Sequence, residues 1–102
     1  MQVTPQDPTL NRHVTLLKAL AHPSRLWIVQ TLRQGERCVC ELRDGLDQDM
    51  STVSRHLSVL RNAGLVRIEK RGLYVYYQLC CLNLAEFLSA LDALKAKPRT
   101  GI

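Results

Sequence analysis

Apolar residues recur every three or four positions over the first third of the chain, in two runs. The first run is Leu10, Val14, Leu17 and Leu20, and the second is Leu26, Val29 and Leu32. Because this spacing places apolar side chains on one face of a helix, it predicts two amphipathic helices. Ala21-His22-Pro23-Ser24 breaks the spacing between them, and Gly35 follows the second. The two helices are therefore expected to pack against each other around a tight corner.

A second pair of helices is predicted after Gly35. Residues 37–39 are expected to be extended, residues 41–45 to form a short helix and residues 46–50 to form a polar turn. Ser51 is a residue type favoured at helix N-caps, and the helix that it opens is expected to run to about Ala63. The buried stripe of this helix is predicted at Val53, Leu57 and Leu60. A short helix, a turn and a longer helix together make a helix-turn-helix unit.

Two short segments after this unit have the composition of β-strands. Residues 65–68 and 73–79 are rich in β-branched, aromatic and leucine side chains, and Arg71-Gly72 between them supplies a turn. The pattern predicts a β-hairpin, or wing. The expected fold is therefore mainly α with a small β-hairpin, a winged helix-turn-helix.

A last helix carries a broad apolar stripe, which consists of Leu84, Phe87, Leu88, Leu91 and Leu94. A domain within 102 residues buries too little surface to cover such a stripe easily unless it pairs with a second copy. We therefore expect a homodimer formed through the terminal helices. The alternative is that the stripe packs only on the first helix. Residues 1–8 and 98–102 are expected to be flexible, which leaves a single domain at residues 9–97.

The charge of the chain favours a polyanionic partner. Fourteen Lys and Arg against nine Asp and Glu give a formal net charge of +5 at pH 7 and a pI of about 9.3. No apolar run reaches the roughly 18 to 20 residues that cross a bilayer, so we expect a cytoplasmic protein with no membrane partner. The chain has no glycine-rich phosphate loop, and no candidate base is tied to its cysteines. An enzyme is therefore not expected.

The helix that begins near Ser51 has a polar face opposite Val53. This face carries Ser51, Arg55, Ser58 and Asn62, flanked by Thr52 and Ser54. Arginine can donate two hydrogen bonds to guanine, asparagine can pair with adenine, and serine can contact bases or phosphates. An ordinary solvated face is the alternative. The neighbouring short helix, the hairpin and the basic charge favour a surface that reads double-stranded DNA.

Three further residues complete the expected surface or border it. Lys70 and Arg71, near the tip of the hairpin, are expected to grip phosphate or to enter the adjacent minor groove, with solubility as the alternative role. His56 lies on the flank of the apolar stripe and is expected to be a half-buried structural residue rather than a ligand. No cofactor is expected to be needed for DNA binding.

Four cysteines occur in two pairs, Cys38 with Cys40 and Cys80 with Cys81. Since we expect no export signal, we expect these thiols to stay reduced and to suit metal binding or thiol chemistry better than structural disulfides. Buried packing is the alternative for Cys80 and Cys81, since free cysteine behaves as a small hydrophobe.

The chain resembles the ArsR/SmtB family of bacterial metalloregulators over about residues 13–95. The resemblance rests on three motifs: Ala19-Leu20-Ala21-His22-Pro23-Ser24-Arg25-Leu26, Cys38-Val39-Cys40-Glu41-Leu42, and Ser51-Thr52-Val53-Ser54-Arg55-His56-Leu57. Leu60 and Gly64-Leu65-Val66 follow the third motif and also match. The resemblance implies a homodimer that represses its own operon and releases the DNA when an inducer binds. Because a dimer places two DNA-reading helices about one DNA turn apart, we expect the operator to be an imperfect inverted repeat. Cys38 and Cys40 match the pattern of arsenic and antimony sensors, and also that of cadmium and lead sensors.

The same resemblance leaves the third sulfur ligand to be found. Arg43 stands where many arsenic sensors have a further cysteine, and trivalent arsenic favours three sulfurs. In winged folds residues 37–39 would pair with the end of residues 76–79, so we expect Cys80 and Cys81 to lie close to Cys38. The expected site joins Cys38 and Cys40 with Cys80 or Cys81 of the same protomer, or less favourably of the partner; all four could also hold cadmium, lead or zinc.

Two further alternatives concern the inducer. The first is a redox sensor, in which Cys38 or Cys40 forms a disulfide with Cys80 or Cys81 under oxidants or reactive sulfur species. The second is a zinc sensor with ligands on the last helix. That helix offers Glu86 and Asp92 but no histidine, so a zinc sensor of this type is not expected.

Overall fold

The computed structural model describes residues 4–94, and its architecture is mainly helical with a small sheet, as predicted. Along this part of the chain the elements are α1 (Pro8–Leu20), α2 (Pro23–Leu32), β1 (Arg37–Cys38), α3 (Val39–Leu46), α4 (Met50–Asn62), β2 (Val66–Arg71), β3 (Tyr74–Leu79) and α5 (Leu82–Ala93). The predicted tail at 98–102 and the predicted domain end at residue 97 lie outside the described residues. Helices α3 and α4 form the helix-turn-helix, and β2 with β3 forms the wing.

The first two helices each begin at a proline. Proline at the first helical position loses no hydrogen bond, because that N–H has no partner within the helix. The side chain of Asp7 accepts from the N–H of Thr9 at 2.7 Å, and the His22 ring accepts from the N–H of Ser24 at 3.1 Å. Helix α1 therefore begins at Pro8, inside the segment predicted to be flexible, and the predicted corner contains the start of α2.

The sheet has three strands in the order β1-β3-β2, with both pairs antiparallel. Strands β2 and β3 pair from Val66 with Leu79 to Arg71 with Tyr74, so Arg71 ends the first strand instead of lying in the turn as predicted. Gly72 occupies the turn with a φ of 61°, a conformation that glycine adopts without strain. The predicted extended segment after α2 is confirmed for Arg37 and Cys38, which form β1 and pair with Tyr77 and Tyr76, whereas Val39 already begins α3.

The core is a single cluster to which all five described helices and the start of β2 contribute. Its fully buried side chains are Ile28, Val29, Leu42, Val53, Leu57, Leu60 and Leu88. The predicted stripe of α4, Val53, Leu57 and Leu60, is confirmed. Since that stripe faces the core, the opposite face of α4 is directed to solvent.

The apolar stripe of α5 is divided between core and surface. Leu84 and Leu88 are buried within the protomer, whereas Phe87, Leu91 and Leu94 are exposed. The expectation that all five residues form a dimer interface is therefore corrected for Leu84 and Leu88. These two belong to the protomer's own core cluster, and α5 packs against β3.

Replacing Leu88 by alanine tests this division. We expect Leu88→Ala to lower the free energy of unfolding by about 2 to 5 kcal/mol, since it removes a fully buried side chain and leaves a cavity. Leu82→Ala is the matched control on the same helix, because Leu82 is 76% exposed. Urea unfolding at equal protein concentrations measures both, and equal losses would show that Leu88 is not a core residue.

Candidate DNA-reading surface and thiol sites

Helix α4 is capped by Asp49. Its carboxylate accepts from the N–H of Thr52 at 2.8 Å and from the hydroxyl of Ser51 at 3.0 Å. These hydrogen bonds, foremost those from Thr52, hold the pKa of Asp49 below its usual value. The predicted cap at Ser51 is wrong, since the helix already begins at Met50 and the side chain of Ser51 points back to Asp49.

The polar side chains predicted to face DNA lie on the solvent side of α4. Ser51, Ser54, Arg55, Ser58 and Asn62 are exposed, and Thr52 is half-buried. Asn62 differs in position from the others, because it lies roughly 16 Å further along the helix axis than Ser51 at 1.5 Å per residue. At that end of the helix, Asn62 lines a groove of about 440 Å³ whose lining also includes Lys18 and Arg25. The predicted DNA-facing residues therefore do not form one compact patch, since Asn62 lies at the far end of α4.

The two basic residues predicted to contact phosphate, Lys70 and Arg71, differ in their hydrogen bonds within the protein. The guanidinium of Arg71 is occupied by partners within the protein: it donates to both carboxylate oxygens of Glu36 and, at 2.7 Å, to Glu69. It also lies 4.5 Å above the centre of the Tyr76 ring. Lys70 is exposed and makes no ion pair within residues 4–94. Lys70 is therefore the freer of the two predicted phosphate contacts.

A histidine pair joins α4 to the start of α2. The rings of His56 and His22 lie 4.5 Å apart between centroids, and His56 is buried. Burial, reinforced by the positive charges of His22, Arg25 and Arg55, lowers the pKa of His56. Its Nδ1 atom is buried without a hydrogen-bond partner. The predicted structural position is confirmed, with more complete burial than expected.

Cys38 and Cys40 lie at the junction of β1 and α3. Cys38 is the N-cap of α3 and is buried, and its N–H donates to the carboxylate of Glu41 at 3.0 Å. Cys40 is exposed in the first turn of the same helix. A disulfide joins the two residues, with their Cα atoms 5.5 Å apart. The backbone at the start of the helix-turn-helix therefore holds both sulfurs within bonding reach of each other.

Cys80 and Cys81 form a separate pair between β3 and α5. Their sulfur atoms are 3.4 Å apart, and Cys81 is the N-cap of α5. Burial raises the pKa of the Cys80 thiol to about 11. The N–H groups at the start of α5, first that of Leu84, lower the pKa of the exposed Cys81 thiol.

The two cysteine pairs do not meet in one protomer. Cys38 is opposite Tyr76, and Cys80 follows Tyr76 by four residues. At about 3.3 Å per residue, Cys80 lies roughly 13 Å further along the strand, while the chain after Cys38 runs the other way. Within residues 4–94 no three His, Cys, Asp or Glu side chains are grouped to hold a metal. The expected closeness of Cys80 and Cys81 to Cys38 is therefore wrong within a protomer.

An apolar groove of about 480 Å³ lies between α1 and α5. Its lining is His13, Leu16, Leu17, Leu20, Leu65, Cys80, Cys81, Asn83, Leu84 and Phe87. Leu17 and Phe87 are exposed at its edges, at 53% and 43% of their surface. Phe87 belongs both to the lining of this groove and to the exposed part of the α5 stripe.

Comparison with known proteins identifies the family to which this chain belongs. The family model for bacterial regulatory proteins of the arsR family matches residues 22–67. The biofilm growth-associated repressor of Agrobacterium fabrum is 37% identical over 93% of this chain and 85% of its own length. The chain belongs to the ArsR family of bacterial regulatory proteins. It is a DNA-binding transcriptional regulator and not an enzyme.

Two further relatives extend this comparison of the ArsR-family chain. The arsenical resistance operon repressor of Escherichia coli is 46% identical over 67 residues, which are 65% of this chain and 57% of that protein. The solved homodimeric winged helix-turn-helix DNA-binding domain from Mycobacterium bovis, a possible ArsR-family regulator, has a TM-score of 0.80 and 28% identity. The match covers 91% of this chain and 86% of the Mycobacterium bovis domain.

Within residues 4–94 no helix is long and apolar enough to cross a membrane.

Glu36 is a residue bonded to the wing that sequence reasoning missed. It is 35 positions from Arg71, and neither residue belongs to a periodic pattern. Only the pairing of β1 with β3 places Glu36 beside the wing. An acidic residue just before a short predicted strand was the only available signal.

The buried His56 predicts a pH dependence of stability. Because its pKa is lower in the folded chain than the roughly 6.5 of a free histidine, the unfolded chain binds more protons below that pH. Stability is therefore expected to fall as the pH decreases from 7.5 to 5.5. His56→Gln should flatten this dependence, as measured by thermal unfolding across that range. His13→Gln, on exposed α1, is the control, and an equal flattening by both variants would contradict the assignment.

Proposed function

We propose that this chain is a homodimeric repressor that leaves its operator when trivalent arsenic or antimony binds the thiolates of Cys38 and Cys40. The observation that carries this proposal is the position of the two sulfurs, within reach of one another at the N-terminus of α3. Helix α3 is the first helix of the DNA-reading unit. An ion bound there would act on the element that supports α4.

The chemistry of the pair fits soft ions. Thiolates select thiophilic metals and metalloids, and the N-terminus of a helix favours the ionised thiol. Binding requires the reduced pair, which the reducing bacterial cytoplasm would provide. Cadmium and lead share this preference and are the alternative inducers. A third ligand would come from solvent or a small thiol, or else from Cys80 or Cys81 of the partner subunit.

The dimer is proposed to form through α1 and α5. The groove between these helices and the exposed Phe87, Leu91 and Leu94 are uncovered apolar surface in the single protomer. The related Mycobacterium bovis domain is homodimeric. A symmetric pair would place two α4 helices against successive major-groove segments about 34 to 36 Å apart. Such symmetry calls for an inverted repeat, and an imperfect one is the operator proposed here.

The DNA contacts are proposed to divide between α4 and the wing. Arg55 and Ser51 on the exposed face would reach base edges, and Ser54, Ser58 and Thr52 would add base or phosphate contacts. Lys70 would contact phosphate. Arg71 would contribute mainly by shaping the wing, since two carboxylates already occupy its guanidinium.

Arg55→Ala and Lys70→Ala separate base reading from phosphate binding. With DNA selected from a random pool by the wild type, Arg55→Ala should cost about 1 to 3 kcal/mol and relax the preference at one base pair of each half-site. Lys70→Ala should weaken all sequences alike and reduce the salt dependence by about one phosphate contact per site. Fluorescence anisotropy at several salt concentrations measures both. A uniform loss in Arg55→Ala would contradict base reading by this residue.

Release would follow from a modest distortion of α3. Cys38 and Cys40 lie at its first turn, and Leu42 anchors the same helix in the core. Drawing both sulfurs onto one ion would disturb this turn. A binding preference of about 1 to 3 kcal/mol for the DNA-incompetent state weakens DNA binding about 5- to 150-fold.

Serine variants of the four cysteines identify the sensing pair. Cys38→Ser and Cys40→Ser should each raise the arsenite or antimonite concentration for half-release by about tenfold or more, since each removes one of two ligands. Cys80→Ser with Cys81→Ser is the matched control pair and should change it by less than about threefold. Release is measured on reduced protein with preformed complex. A large loss in the control pair would assign the third ligand to the partner subunit.

A second candidate is a thiol redox switch, favoured by the disulfide between Cys38 and Cys40. Here the two thiols lose two electrons and two protons to a peroxide as the disulfide forms, and the peroxide is reduced to water and an alcohol, or to two waters for hydrogen peroxide. DNA would be released without any metalloid. Mass spectrometry of the peroxide-treated complex, beside arsenite titration under reducing conditions, distinguishes the two functions.

A further inference from the structure

Glu36 lies at the centre of a polar network that joins three segments of the protein. Its carboxylate accepts from both terminal nitrogens of Arg71, at 2.6 Å in one of the two bonds, and from the side-chain amide of Gln78 at 2.9 Å. Arg71 ends β2, Gln78 lies in β3, and Glu36 directly precedes β1. Two parallel N–H to oxygen bonds fix both the distance and the orientation of the guanidinium.

The network continues within the wing. Arg71 also donates to Glu69 at 2.7 Å, and Arg67 donates to the side-chain oxygen of Gln78 at 3.0 Å. The Arg71 guanidinium rests on the Tyr76 ring. All of these partners belong to β2 or β3. Glu36 is therefore the residue of the network that connects the wing to the segment outside it.

The segment that holds Glu36 leads directly to the proposed inducer site. Glu36 is two residues before Cys38, and its main-chain oxygen accepts from the Arg37 guanidinium at 2.9 Å. Arg37 and Cys38 are the only residues by which β1 pairs with β3 within the described chain. So short a strand resists displacement weakly, and a change at Cys38 would move Glu36 with it.

We infer that Glu36 is a positioning residue that holds the wing in its DNA-reading position through Arg71, and that inducer binding at Cys38 and Cys40 acts on the wing by disturbing this link. The inference rests on the proposed function for its second half. It also gives Arg71 a role other than the phosphate contact expected from the sequence. Lys70, next to it, remains the residue that faces the DNA.

Three variants test the link. Glu36→Asp keeps the charge but shortens the side chain by one methylene, so the paired bonds to Arg71 are lost. Glu36→Gln keeps the length but removes the charge. Glu69→Gln is the matched control, because it makes the same charge change on the same arginine without connecting the wing to β1. An exposed ion pair contributes little to stability, so all three are expected to fold, and unfolding curves verify it.

Two measurements are made on each variant. The first is hydrogen exchange of the wing amides, residues 66–79, without inducer. We expect faster exchange than in wild type in Glu36→Asp and Glu36→Gln, and the wild-type rate in Glu69→Gln. The second is the ratio of DNA dissociation constants with and without arsenite. This ratio should fall by about threefold or more in both Glu36 variants and stay within about twofold of wild type in Glu69→Gln.

The outcomes separate this inference from the proposed function. If arsenite leaves the wild-type complex intact, the proposed inducer is wrong and the wing exchange alone decides whether Glu36 positions the wing. Wild-type wing exchange in both Glu36 variants would overturn the inference. So would a ratio that changes equally in Glu36→Gln and Glu69→Gln, because charge alone would then account for it.

Discussion

The pairing of β1 with β3 is the constraint on which the arrangement of sites depends. Two residues, Arg37 and Cys38, make this pairing, and α3 begins immediately after them. Cys38 is thereby fixed as the last residue of a strand and the cap of a helix. The same pairing places Glu36 beside the wing. A segment of a few residues thus contacts both halves of the DNA-reading unit.

The position of this segment explains how chemistry at a small thiol site could affect a distant surface. Val53, Leu57 and Leu60 anchor α4 in the core, so α4 is not easily displaced by itself. Helix α3 offers only Leu42 as a fully buried anchor, and β1 offers two paired residues. Helix α3 therefore has fewer buried residues than α4, which is what an element that moves in a switch needs.

How much the sequence predicts depends on the length scale of each interaction. The exposed face of α4 follows from Val53, Leu57 and Leu60, because a helical period needs only neighbouring residues. The cap of α4 was misplaced from Asp49 to Ser51, since both are good capping residues only two positions apart. Leu88 could not be distinguished from Leu91 by spacing, because either side of a broad stripe can face the core.

The errors over longer distances have one cause. Antiparallel pairing sets both which strands meet and the direction in which each chain leaves the contact. The sequence indicated correctly that Arg37 and Cys38 pair with β3, but it did not indicate that Cys38 is opposite Tyr76. Cys80 was therefore expected beside Cys38, whereas it lies roughly 13 Å further along the strand. The contact of Glu36 with Arg71 has no periodic signal and depends on the same register.

The central claim, that Cys38 and Cys40 together form the inducer site, is tested most directly by X-ray absorption at the arsenic edge of reduced protein loaded with one equivalent of arsenite. We predict sulfur coordination that persists in Cys80→Ser/Cys81→Ser and decreases in Cys40→Ser; undiminished sulfur coordination in Cys40→Ser, or oxygen ligands alone in the wild type, would contradict it.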